Sequence, residues 1–234
     1  MILHIPHSST AMPVHYPDLP VLHLERHTDW FTDELFEHAG AQRFVFPYSR
    51  FYADMERLAD DPLEAKGMGI FYTQTPWGQV YRARNEEAVA HVYDLYQQWH
   101  RRLQQACWSQ LYKQGQCVLI DCHSFSHHQV SEPEEVLPDI NIGTNETTTS
   151  PALITLTEQI LREAGYSVAI NFPYAYAVEP IQDPGFETIM VEINKRTYLT
   201  EDNHPSSGYD RLKQTLDRLL AAIAAYEQGD GHGL

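Results

Sequence analysis

Short apolar runs alternate along the chain with stretches in which apolar residues recur every three or four positions. The run at residues 2–6 ends in Pro-His-Ser-Ser and predicts a strand that delivers a polar loop at its carboxyl end. The run Cys-Val-Leu-Ile-Asp-Cys-His-Ser, which begins at Cys117, predicts a strand buried on both faces of a parallel sheet. Similar runs predict three further strands, at residues 43–48, 167–170 and 188–193.

Helical spacing predicts four helices between and after these strands. The longest covers residues 85–113, with Asn85 as its N-terminal cap and Gly115 just beyond its end. The other three are predicted at residues 27–39, 151–164 and 208–226. The polar stretch 53–79, which is punctuated by glycines and prolines, predicts a long irregular excursion.

This alternation predicts an α/β fold, a three-layer sandwich around a mixed, mostly parallel sheet. In such sheets ligands bind beyond the carboxyl ends of the strands, so polar residues at those ends are the first candidates for a site. A chain of 234 residues, 43% of them hydrophobic, can form one core without disulfides. We therefore expect residues 1–234 to form a single catalytic domain.

The charge of the chain restricts its partners. Sixteen basic and 32 acidic residues give a formal net charge of −16, which repels nucleic-acid phosphates and anionic lipid. The composition argues against nucleic-acid and membrane partners, although a few arginines in a cleft still allow a small anionic substrate. The sequence has no membrane-spanning apolar run and does not open with a signal peptide, so we expect a cytoplasmic protein. The sequence does not indicate the oligomeric state.

The cysteines do not indicate a metal site, whereas the histidines include candidate metal ligands. The three cysteines form no Cys-x-x-Cys pair and are expected as buried free thiols; they are Cys107, Cys117 and Cys122. Thirteen histidines are spread along the chain, which prompts a search for metal ligands. His7 follows the first predicted strand, His123 ends the central one and Glu192 lies in the last. A zinc hydrolase needs three ligands and a carboxylate base. His7 alone would more often be an ordinary hydrogen-bonded residue, and His123 is the better candidate because of its position at the end of the central strand.

The segment Glu25-Arg-His-Thr-Asp-Trp adds a carboxylate and an imidazole at the start of a predicted helix. A metal ligand is one interpretation, and a helix cap formed by Thr28 or Asp29 is the other. The HExxH zinc motif, the GxSxG serine motif, the Walker loop and the dinucleotide fingerprint do not occur in the sequence.

Arg50, Asp54 and Arg57 are spaced by four and three residues. If this segment is helical, the three side chains share one face, and the carboxylate orients a guanidinium for a substrate carboxylate or a developing oxyanion. The alternative is a surface ladder of ion pairs.

Seven short motifs then point to a family. They are Ile-Pro-His-Ser-Ser at 5–9, His-Thr-Asp-Trp at 27–30, Ser-Arg-Phe-Tyr-Ala-Asp-Met-Glu-Arg at 49–57, Ile-Asp-Cys-His-Ser at 120–124, Ile-Gly-Thr at 142–144, Asn-Phe-Pro-Tyr at 171–174 and Val-Glu-Ile-Asn at 191–194. In this order they resemble the N-formylglutamate amidohydrolase family. The resemblance implies a fold of the zinc-carboxypeptidase or phosphorylase/hydrolase type, and hydrolysis of the amide bond of an N-acyl amino acid such as N-formylglutamate.

The resemblance also implies roles for individual residues. Zinc would be held by His7, Asp29 and His123, with Asp29 a closer motif match than Glu25 and with His27 as a rival ligand. Glu192 would be the general base that takes a proton from metal-activated water. Arg50 and Arg57 would hold the substrate's carboxylates and contribute to catalysis. The remaining substrate-binding residues implied are Asp54, Asn171 and Tyr174. Asp121 would accept a hydrogen bond from a ligand histidine, or else cap backbone.

The sequence departs from the family pattern where substrate would be recognised. Glu56 stands where the family usually has asparagine, and an extra carboxylate there would disfavour a diacid. Ala-Tyr-Ala follows Tyr174 where the family usually shows two glycines. Two other functions therefore stay open: a carboxypeptidase-like hydrolase of a peptide or cell-wall amide, and a non-catalytic metal-binding relative. The 126–139 loop, with His127 and His128, is expected to act as a lid.

Overall fold

The computed structural model describes residues 1–126 and 136–229. Within these ranges the chain forms one six-stranded sheet and five α-helices. In chain order they are β1 (Ile2–Ile5), α1 (Val21–His27), α2 (Thr32–Leu35), β2 (Gln42–Val45), α3 (Glu86–Gln114), β3 (Cys117–Phe125), β4 (Ile140–Gly143), α4 (Pro151–Glu163), β5 (Val168–Ile170), β6 (Phe186–Asn194) and α5 (Tyr209–Glu227).

The sheet has the order β2-β1-β3-β6-β4-β5. β4 runs antiparallel to β6, and every other neighbouring pair is parallel. The mixed, mostly parallel α/β sheet predicted from the sequence is thus confirmed. β3 and β6 lie at its centre and pair over nine residues each, which places their carboxyl ends side by side.

Helices cover both faces of the sheet. On one face α4 and α5 contribute buried leucines such as Leu153 and Leu216 to a core shared with alternate strand residues. On the other face α3 contributes Trp99 and Leu103 to a second core, which it shares with β1, β3 and the segment after β2. The strand residues of β3 divide between the two cores by strict alternation, as expected for a strand buried on both faces.

The longest helix follows its sequence signals closely. The Asn85 side chain accepts a hydrogen bond from the backbone N–H of Ala88 at 3.1 Å, which satisfies one of the free donors of the first turn. The helix ends at Gly115, whose φ of 76° is the left-handed conformation that glycine adopts without strain.

Two predictions need correction. The helix predicted at 27–39 is wrong, because the backbone forms α1 before it, the single turn α2 within it, and an irregular link at 28–31. Phe31 has a left-handed φ of 61°, which is incompatible with a continuous helix through this link. β4 was not predicted, since four residues between polar neighbours give too short a pattern. The predicted excursion at 53–79 is irregular except for one 3₁₀ turn, Pro62–Lys66.

The cysteine prediction is confirmed, since Cys107, Cys117 and Cys122 are all free and buried. In the parts of the chain described above, no helix combines the length and the apolarity needed to cross a bilayer.

Candidate active site

The central strands bring polar side chains together at the carboxyl edge of the sheet. His123 of β3 is the register partner of Glu192 of β6, and Asp121 of β3 is the partner of His4 of β1. His7 lies two residues beyond the end of β1. All five side chains are buried, so this edge of the sheet holds a concentration of ionisable groups with little access to bulk water.

Asp29 reaches the same edge from the link between α1 and α2. Its backbone N–H donates to the carbonyl of His7 at 3.0 Å, which fixes this link against the end of β1. The Asp29 side chain does not cap a helix. Its Oδ2 lies 3.3 Å from Nδ1 of His123 and 3.7 Å from Nδ1 of His7. The corrected helix boundary is therefore what allows this carboxylate to face both imidazoles.

His7, Asp29 and His123 form a compact donor set. One ligand atom of each residue lies within 4.8 Å of the other two, and the two imidazole centroids are 5.2 Å apart. A second set that meets the same distance limit consists of His7, Asp54 and Glu56. His7 belongs to both, so the structure brings together the three ligands implied by the sequence and places two further carboxylates beside them.

The outer nitrogen of each imidazole is held by a carboxylate. Nε2 of His7 lies 2.8 Å from Oδ1 of Asp54, and Nε2 of His123 lies 2.9 Å from Oδ1 of Asp121. Ligand histidines in metalloproteins commonly use one nitrogen for the metal and give the other to a carboxylate, which fixes the ring orientation. Two nitrogens and one carboxylate also suit zinc. Oδ1 of Asp29 is buried without a hydrogen-bond partner among the described residues, as expected for an atom that faces a cation. The residues therefore fit a zinc ion.

The two rival ligands lie elsewhere. The His27 ring packs against Phe51 and Trp77, with centroid distances of 5.7 and 5.1 Å. The Glu25 side chain lines a neighbouring cavity. Among the described residues neither belongs to a group of potential metal ligands, so the geometry favours Asp29.

Burial and hydrogen bonding set the charge of the site. Burial alone would raise the pKa of Asp29, but hydrogen bonds from His123 and His7 hold it well below its usual value. Asp54 and Asp121 also have lowered pKa values despite burial, through the nearby charges of His7 and Arg50 for Asp54 and of His123 for Asp121. All three groups therefore stay ionised.

Glu192 differs from these carboxylates. Burial raises its pKa to about 8, and the nearby positive charge of His123 only partly opposes this shift. Its Oε2 has no hydrogen-bond partner within the described ranges. Tyr174 lies close enough that the Glu192 charge, after burial, contributes to raising the pKa of the tyrosine. A carboxyl group in this environment can exchange a proton near neutral pH.

The segment with Arg50, Asp54 and Arg57 is not helical, contrary to the condition on which their shared face was argued. It is a series of turns, in which the backbone N–H of Asp54 donates to the carbonyl of Ile70 at 3.1 Å. The three side chains still converge, because Oδ2 of Asp54 lies 3.9 Å from Nε of Arg50 and 3.5 Å from Nε of Arg57. Asp54 is fully buried and Arg50 nearly so, which is unlike a surface ladder of ion pairs.

Glu56 is a site residue that the sequence marked only as a departure from the family pattern. Its Oε2 lies 3.3 Å from Nη2 of Arg50 and 3.7 Å from Nδ1 of His7, and its Oε1 lies 3.7 Å from Nε2 of His123. The Arg50 guanidinium itself contacts the His7 ring. Arg57 donates to the Tyr72 hydroxyl at 3.0 Å. Metal binding at Nδ1 of His7 would therefore require Arg50 to give up its contact with the ring.

The other predicted residues have distinct positions. The Asn171 side chain is bound to Thr144, accepting from its N–H and donating to its hydroxyl, both at 2.8 Å. The ring of Tyr174 packs on Phe125 at 5.9 Å, beside the site. Most of the predicted 126–139 lid, including His127 and His128, lies outside the described residues.

A cavity of about 1200 Å³ opens beyond the ends of β3 and β6. Arg26, Asn194 and Lys195 line it, together with Glu25. Lys195 is buried and donates to the carbonyl of Arg26 at 2.8 Å. Burial lowers the pKa of Lys195 to about 8, partly opposed by the charge of Asp29. The cavity thus adjoins the donor set, although none of the three implied ligands lines it.

Comparison with known proteins gives one family. Residues 1–199 match the family model described as N-formylglutamate amidohydrolase. Among curated proteins, the chain is 27% identical over 219 residues to an N-formylglutamate deformylase of Pseudomonas putida, covering 85% of this chain and 82% of that protein. It is 27% identical over 190 residues to an N-formylglutamate deformylase of Pseudomonas aeruginosa, covering 74% and 71%.

Two solved structures share the fold. An N-formylglutamate amidohydrolase from Ralstonia eutropha JMP134 superimposes with a TM-score of 0.86 at 23% identity, covering 98% of this chain and 94% of that one. A gene product of Agrobacterium tumefaciens superimposes with a TM-score of 0.70 at 19% identity, covering 95% and 91%. At these identities the likeness establishes the architecture alone.

Proposed function

The chain belongs to the N-formylglutamate amidohydrolase family, and from that premise we propose that it hydrolyses the amide bond of N-formyl-L-glutamate or a close N-formyl amino acid. The products would be formate and the free amino acid. The observation that carries this proposal is the donor set of His7, Asp29 and His123 beside Oε2 of Glu192, an oxygen with no hydrogen-bond partner among the described residues. This arrangement combines a cation site with a proton acceptor, which amide hydrolysis by water requires.

The metal that fits this donor set is zinc, held by His7, Asp29 and His123. Bound zinc would supply Lewis acidity, lowering the pKa of a bound water towards about 7 and polarising the formyl carbonyl. Asp54 and Asp121 would hold the imidazoles in place through their Nε2 atoms.

Glu192 would move the proton. Its Oε2 is the open acceptor, and the atom would take a proton from the attacking water and then deliver it to the departing amine nitrogen. The elevated pKa of this carboxyl, caused first by burial, favours holding the proton between these two steps. A zinc ion beside Glu192 would lower that pKa, because a nearby positive charge favours the ionised carboxylate. The pKa of Glu192 in the zinc-bound site would therefore lie below its pKa in the metal-free site.

The two arginines would bind and orient the substrate. Arg50 lies nearest the donor set, where its guanidinium is placed to hold the oxyanion or the α-carboxylate once it leaves the His7 ring. Arg57, fixed by Asp54 and Tyr72, would hold a second carboxylate. Tyr174 would border the substrate beside Glu192. Asn171 is engaged with Thr144, so we propose that it shapes the loop which presents Tyr174.

We further propose that the whole chain acts as one catalytic domain. The family model ends at residue 199, but α5 lies beyond that point and packs Leu212, Leu216 and Ile223 into the core that covers the sheet. Removing this helix would expose that core.

The Glu192→Gln variant tests the proposal. The amide side chain keeps the shape but cannot accept the proton, so we expect kcat for formate release from N-formyl-L-glutamate to fall about 10²- to 10⁴-fold. Zinc content per chain, measured on the same sample, should not change.

Glu187→Gln is the matched control, because Glu187 lies on the same strand but bonds to Ser150 and Tyr226 at the opposite end. It should retain the wild-type rate. A Glu192→Gln variant that retains it as well would contradict the assignment of the base.

A further inference from the structure

A buried chain of hydrogen bonds runs from helix α3 to the donor set. Nε1 of Trp99 donates to Nε2 of His4 at 3.1 Å, and Nδ1 of His4 lies 2.7 Å from Oδ1 of Asp121. The same oxygen lies 2.9 Å from Nε2 of His123. His4 is fully buried and Asp121 nearly so, so these contacts are not exchanged for contacts with water. This series of hydrogen bonds joins three elements: α3, β1 and β3.

The chemistry of tryptophan fixes which atom donates in each of these hydrogen bonds. The indole N–H is a donor and never an acceptor, so Nε2 of His4 must offer its lone pair. His4 is then neutral, and its single ring proton is on Nδ1. That proton points to Oδ1 of Asp121, a carboxylate oxygen 2.7 Å from Nδ1 that accepts it in a hydrogen bond. The tautomer of His4 therefore follows from the position of one indole nitrogen.

Asp121 links the hydrogen bond of His4 to that of His123. Its Oδ1 accepts from His4, and its Oδ2 accepts from the backbone N–H of Val178 at 2.9 Å. A carboxylate held in place by two donors is a fixed acceptor for the third contact, the N–H at Nε2 of His123. The remaining nitrogen of that ring, Nδ1, faces Oδ2 of Asp29 at 3.3 Å. With Nε2 of His123 engaged by Asp121, Nδ1 is the nitrogen of that ring on the side of the donor set.

We propose that Trp99 and His4 are positioning residues that make Nδ1 of His123 the metal-binding nitrogen. The proposal rests on the zinc site proposed above and adds two residues to it that contact neither metal nor substrate. The proposal links the packing of α3 on the sheet to the zinc affinity of the site, because Trp99 reaches His4 only when α3 packs there.

A purely structural role predicts different behaviour. Trp99 also packs its ring edge-on against Phe44 and Phe46, at centroid distances of 5.7 and 5.4 Å. Loss of this packing would lower the stability of the fold without changing how tightly the folded protein binds zinc. Zinc affinity and the tautomer of His4 are therefore the readouts that separate the two roles.

The first experiment measures zinc dissociation constants by competition with a chromophoric chelator. In His4→Asn the amide N–H replaces the Nδ1 donor to Asp121, so we expect affinity within about threefold of wild type. In His4→Leu the donor is lost, and we expect about a tenfold or greater loss, as is typical of outer partners of ligand histidines. Trp99→Phe should lose affinity as well, whereas Trp108→Phe, an exposed tryptophan on the same helix, should not.

The second experiment gives its decisive result on the wild-type protein, so it does not depend on whether a variant folds. Imidazole ¹⁵N chemical shifts of the wild-type protein should show His4 with its proton on Nδ1, and in Trp99→Phe a mixture of tautomers. A wild-type His4 protonated on Nε2 would overturn the proposal. So would a His4→Leu variant that binds zinc as tightly as wild type, which would leave the zinc site standing. A wild-type chain that binds no zinc would instead contradict the proposed site itself, and this inference with it.

Discussion

At the scale of single residues, the site is organised by carboxylates that contact both sides of two imidazoles. Asp54 and Asp121 hold the outer nitrogens of His7 and His123, while Asp29 faces the inner ones. Glu56 adds a fourth carboxylate at the mouth, where its side chain is 30% exposed and pairs with Arg50. The Arg50 guanidinium, which we propose binds substrate, is therefore already paired with a carboxylate of the protein.

Glu56 should consequently limit the binding of doubly charged substrates. Removing its charge in Glu56→Gln should raise kcat/KM for N-formyl-L-glutamate relative to uncharged N-formyl-L-glutamine by about tenfold, the effect expected of one like charge a few ångströms away in a partly buried site. The ratio of the two kcat/KM values in wild type and variant is the measurement.

Glu64→Gln is its control, because Glu64 is 27% exposed and also pairs with an arginine, Arg84, at 2.6 Å. It should leave the substrate ratio unchanged. A Glu56→Gln variant with the wild-type ratio would show that this carboxylate does not select substrate.

His100 gives a pH-dependent contribution to stability. Burial lowers its pKa to about 4, although its Nε2 lies 2.9 Å from the carbonyl of Met55, a contact that opposes the shift. Because the folded-state pKa is below the unfolded value of 6.5, the unfolded chain binds the proton more readily. The contribution is therefore present above pH 6.5 and is lost as the pH falls towards 4.

The loss should amount to about 3 kcal/mol at most, since one pKa unit corresponds to about 1.4 kcal/mol. Urea unfolding of wild type and His100→Gln between pH 7 and pH 4 measures it: the variant should lose less stability over this interval. His91→Gln, an exposed position on the same helix, should follow wild type. Parallel curves for wild type and His100→Gln would contradict the assignment.

At the scale of elements, strands could be predicted and links could not. His7, His123 and Glu192 lie at or near the ends of strands whose apolar runs are unambiguous, so their meeting could be predicted from the sequence. Asp29 and Glu56 lie in irregular segments whose positions depend on tertiary hydrogen bonds, such as the bond from Asp29 to the carbonyl of His7. Helical spacing through Trp30 and Leu35 gave no warning of the left-handed Phe31 that breaks the helix.

Some of the site's organisation did have a signal in the sequence. His4 stands inside the apolar run of β1, and a polar residue buried in a strand must find a hydrogen-bond partner. Its partners, Trp99 and Asp121, are 95 and 117 residues away along the chain. Sequence reasoning can therefore say that such a residue is paired, whereas the identity of the partner depends on how α3 docks.

The N-terminal cap of α3 provides a test at this scale. Asn85→Ala removes the acceptor for the Ala88 N–H and should lower the free energy of unfolding by about 1 kcal/mol. Chemical denaturation measures this loss. Asn85→Asp should restore most of the stability, and an Ala variant as stable as wild type would show that the cap contributes nothing.

At the scale of the whole molecule, the acidic balance of the chain extends into its site. Among the described residues, the site contains five carboxyl groups, one of them the donor Asp29, against two arginines: Asp29, Asp54, Glu56, Asp121 and Glu192, with Arg50 and Arg57. A divalent cation would offset this excess, and binding only the folded state it would stabilise the fold by about 2.7 kcal/mol at a free concentration a hundred times the dissociation constant.

We propose, then, that this site hydrolyses N-formyl-L-glutamate with zinc bound by His7, Asp29 and His123. The most direct measurement is the rate of formate release by metal-stripped protein as zinc is titrated back. We expect negligible activity in the stripped protein and a rise that saturates at about one zinc per chain. Full activity in the stripped protein, or no formate release at any zinc level, would contradict it.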